Sequence, residues 1–119
     1  MENLTANVFT SSVRSTTTTS SEIVNYSYRG LHLVINVTSV PGTDTITPKI
    51  QGVANDISYD ILIGSPISTT GLTIIKIYPG ISAIANVSAN DILPNKWKVI
   101  MTHSAGTNFT YTVTANMVN

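Results

Sequence analysis

Apolar and polar positions alternate with a period of two along much of this chain, and the cleanest run is its last quarter, Asn95 to Asn119. Trp97, Val99 and Met101 alternate with Lys96, Lys98, Ile100 and Thr102. Ser104-Ala105-Gly106-Thr107-Asn108 follows, and then Phe109, Tyr111, Val113, Ala115 and Met117 alternate with Thr110, Thr112, Thr114 and Asn116. Successive side chains of a strand point to opposite faces, so each run has one apolar and one polar, hydroxyl-rich face. The pattern predicts an antiparallel hairpin with one face on a core and the other toward water or a partner. Trp97, the sole tryptophan, opens the inward face and reads as core.

Upstream the same signal recurs. Ile23–Tyr28 reads as a strand closed by Arg29-Gly30. Leu31, Leu33, Ile35 and Val37 form one apolar face of the next, and Val34 and Val40 add apolar surface on its other side, which predicts a central strand. Pro41-Gly42-Thr43-Asp44 is a turn. Thr45–Val53 is a third strand, in which Pro48, lacking an N–H, is expected at an edge or bulge. Ala54–Ser58 turns the chain into Tyr59–Ile63, and Leu72–Tyr78 is a further strand ending at Pro79-Gly80. Residues 81–95 give no clear period and are read as a short helical turn or a loop packed on an open sheet end. About seven strands with frequent turns and no helix-period stretch predict an all-β fold, an antiparallel β-sandwich or small barrel.

Residues 1–22 stand apart. Thr10 to Ser21 is almost wholly hydroxylic, with too little apolar surface to offset the entropy of ordering. The division is therefore an extended polar N-terminal arm, 1–22, and a β-sandwich domain, 23–119. Thr and Val favour extended backbone, so an arm that orders on a partner would run as strand. Val8, Phe9 and Val13 are its plausible anchors, with Arg14 beside them.

Composition narrows the function. The chain has 119 residues, enough for one core without staples, and no cysteine. Thiolate metal sites and disulfides are excluded, which fits folding in a reducing cytoplasm. Charged residues make up 10%, against about 25% in ordinary globular proteins, and the formal net charge is zero. That argues against nucleic acid and against anionic membrane surfaces as partners. A neutral surface of Ser, Thr and Asn suits a protein that works docked to others. The N-terminus shows no basic and apolar leader, and no segment approaches a membrane span.

Candidate chemistry is sparse. His32 and His103 lie far apart, with no carboxylate at ligand spacing beside either. The acids fall in turns, at strand ends or in the arm, and Asp44, Asp56 and Asp91 have ready roles as turn formers. Asn55-Asp56 with Asp60 lacks the oxygen density of a calcium loop. No Gly-x-Ser-x-Gly elbow, phosphate loop or dinucleotide fingerprint is present. The tyrosines are dispersed rather than clustered with basic residues. Five Asn-x-Ser/Thr triplets follow from the Asn- and Thr-rich composition. The expectation is a protein that is not an enzyme, with no catalytic or metal-binding residues and no cofactor.

Three segments resemble small virion proteins of tailed bacteriophages and prophages. They are Arg29-Gly30-Leu31-His32-Leu33-Val34-Ile35-Asn36-Val37-Thr38, Ile77-Tyr78-Pro79-Gly80, and Asp91-Ile92-Leu93-Pro94-Asn95-Lys96-Trp97-Lys98-Val99, the last running on to Thr102-His103. The resemblance covers Arg29 to Val118 and leaves the N-terminal arm unmatched. It implies a decoration, or cement, protein that binds the outside of the major capsid shell and braces neighbouring capsomers. The implied partners are the major capsid protein and further copies of the chain, as a dimer or trimer. The implied place is the virion surface, after assembly in the bacterial cytoplasm. Another virion component (tail, neck or head fibre) and a surface- or carbohydrate-binding β-module are the alternatives.

Overall fold

The computed structural model describes residues 3–119; Met1 and Glu2, the first two positions of the expected arm, lie outside them. The alternating segments become strands. They are β1 (Leu4–Arg14), β2 (Thr18–Thr19), β3 (Ile23–Val24), β4 (Gly30–Ser39), β5 (Ile46–Ala54), β6 (Ile57–Ile63), β7 (Gly71–Ile77), β8 (Ser88–Ala89), β9 (Lys96–His103) and β10 (Phe109–Val118). One sheet runs β1-β10-β4-β7-β8, and the other β2-β9-β5-β6, with β3 also on β9. Pairing is antiparallel except between β7 and β8. The chain is an all-β sandwich, and no described segment is an α-helix.

The inward faces interdigitate as the alternation requires. Leu31, Leu33 and Ile35 of β4, Ile75 and Ile77 of β7, and Phe109 to Met117 at every second position of β10 face Ile46 and Ile50 of β5 and Trp97, Val99 and Met101 of β9. Trp97 is fully buried, as expected, although its indole N–H has no protein acceptor among the described residues.

The expected Asn95–Asn119 hairpin does not form. β9 pairs with β5 in one sheet and β10 with β1 and β4 in the other. Residues 104–108 cross from layer to layer, tied at Thr45, whose N–H donates to Ser104 Oγ at 2.9 Å and whose carbonyl accepts from Ser104 N–H at 3.0 Å. Alternation fixes which face of a strand is buried but not its partner. Both strands turn their apolar faces inward, and they do so from opposite sides of the core.

The N-terminal segment also differs from expectation. Leu4–Arg14 is extended, as Thr and Val favour, but it pairs along β10 within its own chain. It is an edge strand of the sandwich, and its register shifts between Asn7 and Phe9 and between Phe9 and Ser12. Such bulges belong at exposed edges, where they twist the free backbone away from stray pairing. The polar link behind it is stitched to β9: Ser20 N–H donates to Val99 O at 2.8 Å, and Val99 N–H to Ser20 Oγ at 2.9 Å. Conversely, only Ile23–Val24 of the expected Ile23–Tyr28 strand is strand. The chain leaves β3 through Ser27, whose φ is +86°.

Two local features set the frame. Asn55 and Asp56 have φ of +51° and +65°, the two left-handed positions of a tight type I′ connection, so β5 and β6 form a true two-residue hairpin. Pro48 sits in β5, an interior strand, yet its carbonyl accepts from Gly64 N–H at 2.8 Å just past the end of β6. A residue's N and O point to the same side of an antiparallel strand. The missing N–H therefore faces Gly64, just past the end of β6, so the donor is lost at the end of that ladder and not within it. The ambiguous 81–95 segment supplies the short strand β8 and the loop that leads into β9.

Candidate functional site

The four residues expected to bind a partner are engaged in different ways. Phe9 is buried, 7% exposed, and its ring meets Tyr111 edge-on at 6.5 Å. Val8 is half-buried against the core. Arg14 closes this corner: its guanidinium lies 5.1 Å from the Phe9 ring centroid and 5.0 Å from that of Tyr111. It also donates to the carbonyls of Tyr111 at 3.1 Å and Thr10 at 2.8 Å. Its charge and donors thus serve this chain's own strand β1. Val13, 59% exposed, is the one of the four that presents a large apolar side chain to solvent.

Next to this corner His103 Nε2 and Tyr111 Oη share a hydrogen bond of 2.9 Å between the sheets. The His103 ring stands edge-on to Phe109 at 5.6 Å, and its Nδ1 is buried without a partner among the described residues. Burial, and then the Arg14 charge, hold the imidazole below its ordinary range. Burial pushes the Tyr111 phenol up. Both groups are thereby kept neutral near pH 7, and the pair acts as a strut between β9 and β10. General acid–base chemistry needs further titratable groups converging on one pocket. No group of three or more His, Asp or Glu that could hold a metal ion exists among the described residues. Three of the acids are engaged locally: Asp60 accepts from Gln51 at 2.7 Å and pairs with Lys49 at 3.5 Å, Asp44 accepts from Thr107, and Asp91 accepts from Ile92 N–H at 2.7 Å.

The three segments that carry the family resemblance converge at one end of the sandwich, where β4 and β9 begin and β7 and β10 finish. Leu93 N–H donates to Arg29 O at 2.8 Å, and Arg29 N–H to Val118 O at 2.9 Å. A Cβ on Gly30 would overlap the carbonyl oxygen of Ile77 and lie 2.8 Å from the Tyr78 ring, so only glycine permits this approach. Gly80, at φ +94°, donates its N–H to Asn90 Oδ1 at 2.7 Å. Asn25 completes the knot. Its Nδ2 donates to Tyr28 O at 2.8 Å and Leu93 O at 3.1 Å, and its Oδ1 accepts from Tyr28 N–H at 2.9 Å. These motifs bond to one another and hold the end shut.

Around that end the surface is apolar where it is exposed. Tyr26 (71%), Ile57 (67%), Ile92 (59%) and Leu4 (45%) all stand open there. Their exposure in the fold, not their sequence periods, reveals this, because Ile57 and Ile92 sit beside turns that give no face. A second feature invisible in the sequence is a cleft of about 360 Å³ on the outer side of the β4–β7 pair, lined by His32, Lys76, Tyr78 and the 81–88 loop.

No protein-family model matches the sequence, and no curated protein matches it. Among solved structures, chains of infectious bursal disease virus, Gt and Gx strains, are similar, with TM-scores of 0.48 and 0.46 and identities of 12% and 14%. The likeness covers 99% and 98% of this chain and 33% and 32% of those chains, so this chain spans about a third of their length. A likeness of that size carries no functional argument.

Proposed function

We propose that this chain is a structural protein of a virion, and in particular a decoration protein of a tailed-phage capsid. The observation that carries the reading is the coincidence at the Arg29 end: the segments that resemble phage virion proteins are the ones that build it, and Tyr26, Ile57 and Ile92 are exposed around it. A protein with this few charges gains contact area mainly from such side chains. In this reading that end docks on the major capsid protein, and copies of the chain associate as a dimer or trimer on the outer shell. Many modest contacts repeated over a lattice make the attachment firm. Val13 is a second contact point, whereas Phe9 and Arg14 act within the chain.

The test is co-sedimentation of the purified chain with capsids that lack it, followed by a cryo-EM map of the particles. Density on the outer shell with the Arg29 end inward is expected, and Ile57→Asp with Ile92→Asp should reduce binding at unchanged melting temperature. Undiminished binding of that double variant, or density confined to the tail, would overturn the reading.

A further inference from the structure

We propose that the cleft over β4 and β7 binds a small monocarboxylate with an aliphatic body. This inference does not rest on the virion reading: the cleft lies on the outer face of β4 and β7, and its lining does not include the exposed Tyr26, Ile57 and Ile92.

The floor of the cleft is set by register. His32 and Lys76 are direct cross-strand partners on the outward face of β4 and β7. Both side chains are exposed, and Lys76 makes no ion pair among the described residues. The Lys76 ammonium is therefore an uncompensated cation, with an imidazole at its side that can donate a second hydrogen bond.

The wall is a built structure, not a loose loop. β8 runs parallel to β7, with Lys76 N–H donating to Val87 O at 3.0 Å and Tyr78 N–H to Ala89 O at 3.2 Å. Ser88 Oγ, in one of the few buried polar residues, donates to Ser82 O at 2.7 Å and accepts from Ile84 N–H at 3.2 Å. Asn86, held at φ +66°, reaches over to donate to Ile63 O at 3.0 Å on the other sheet. This bracing presents Ile81 and Ile84 to the cleft, and Ile84 is 53% exposed there.

The chemistry of the occupant follows from that lining. Ligand sites are concave and mainly apolar, with a few convergent polar groups that fix orientation, and a cleft of about 360 Å³ is at the small end of their range. One ammonium balances one negative charge, which favours a monocarboxylate over a phosphate dianion or a nucleotide. Two isoleucines favour an aliphatic body behind the charge. The carboxylate can belong to a free acid or to the C-terminus of a peptide ending in an aliphatic residue, and both present the same group.

The experiment is a titration of the isotope-labelled full chain by two-dimensional NMR with hexanoate, N-acetyl-leucine, acetate and hexanol. Hexanoate or N-acetyl-leucine should shift the amides of Lys76, Tyr78, Ile84 and Ser88 in a saturable way. Tighter binding of hexanoate assigns the free acid, and tighter binding of N-acetyl-leucine assigns a peptide terminus. Lys76→Gln should weaken either by about tenfold, and acetate and hexanol should bind at least tenfold more weakly. Ile84→Asn, an exposed substitution that leaves the Ser88 bracing in place, should weaken hexanoate without affecting the fold. Shifts scattered over the surface, equal binding of hexanol, or unaltered affinity in Lys76→Gln would overturn the proposal.

Discussion

The N–H of Leu93 donates to the carbonyl of Arg29 at 2.8 Å, and Asn25 Nδ2 donates to the Leu93 carbonyl from the other side. The Asn25–Arg29 turn and the segment at Leu93 are thus locked together by one buried asparagine that makes two donor bonds and one acceptor bond. Removing such a side chain leaves buried backbone groups without partners. Asn25→Ala should therefore lower stability by about 2–3 kcal/mol in urea unfolding. A change within about 0.5 kcal/mol would mean that water replaces the amide without penalty.

Gly30 and Gly52 separate backbone crowding from side-chain crowding. A Cβ on Gly30 meets the carbonyl of Ile77, which is fixed in the β4–β7 ladder, whereas a Cβ on Gly52 meets the ring of Tyr59. Tyr59 is 42% exposed and can swing outward. Gly30→Ala should cost about 3 kcal/mol, at the upper end for overpacking, and Gly52→Ala about 1 kcal/mol. Thermal melts of the two variants provide the comparison, and equal losses would contradict it.

The first strand belongs to the folded unit. Phe9→Ala removes a ring packed on Tyr111 and beneath the Arg14 guanidinium, and should cost about 3 kcal/mol. Deleting residues 1–14 should lower the unfolding midpoint still further, because it also strips the outer ladder from β10. A truncated chain that melts like the intact one would show instead that the segment is an accessory arm.

Trp97 reports directly on the core. Its fluorescence should be blue-shifted and inaccessible to iodide, and Trp97→Ala should cost about 3–5 kcal/mol. Emission near that of free tryptophan in water would place the ring at the surface.

His103 gives stability a pH dependence of predictable sign. Burial, with Arg14 second, holds it below its ordinary value of 6.5. The unfolded chain therefore takes up this proton at higher pH than the folded chain does. Its contribution is complete above about pH 6.5, falls as the pH drops toward the folded-state value, and is flat below that. Urea midpoints should decline over that window in the native chain and less so in His103→Gln, and parallel profiles would contradict the assignment.

The period-two alternation in β4, β9 and β10 by itself determined that the protein is all-β, which residues face the core, and that Trp97 is buried. Those are local properties, since each follows from side chains pointing alternately to two faces. Composition likewise showed a surface poor in charge and a chain poor in reactive groups. Partnership was decided only by the tertiary structure. β9 and β10, adjacent in sequence and matched in pattern, lie in opposite sheets because either arrangement buries the same faces, and the 104–108 crossing selects one. Leu4–Arg14 looks too polar to fold, yet an edge strand needs to bury only one side of one residue in two, and Phe9 with its neighbours suffices. The Asn25 knot, the exposed apolar rim and the Lys76 cleft have no local signature at all. Each exists because residues from distant strands reach the same place, and that is set by sheet order and loop bracing rather than by any stretch of sequence.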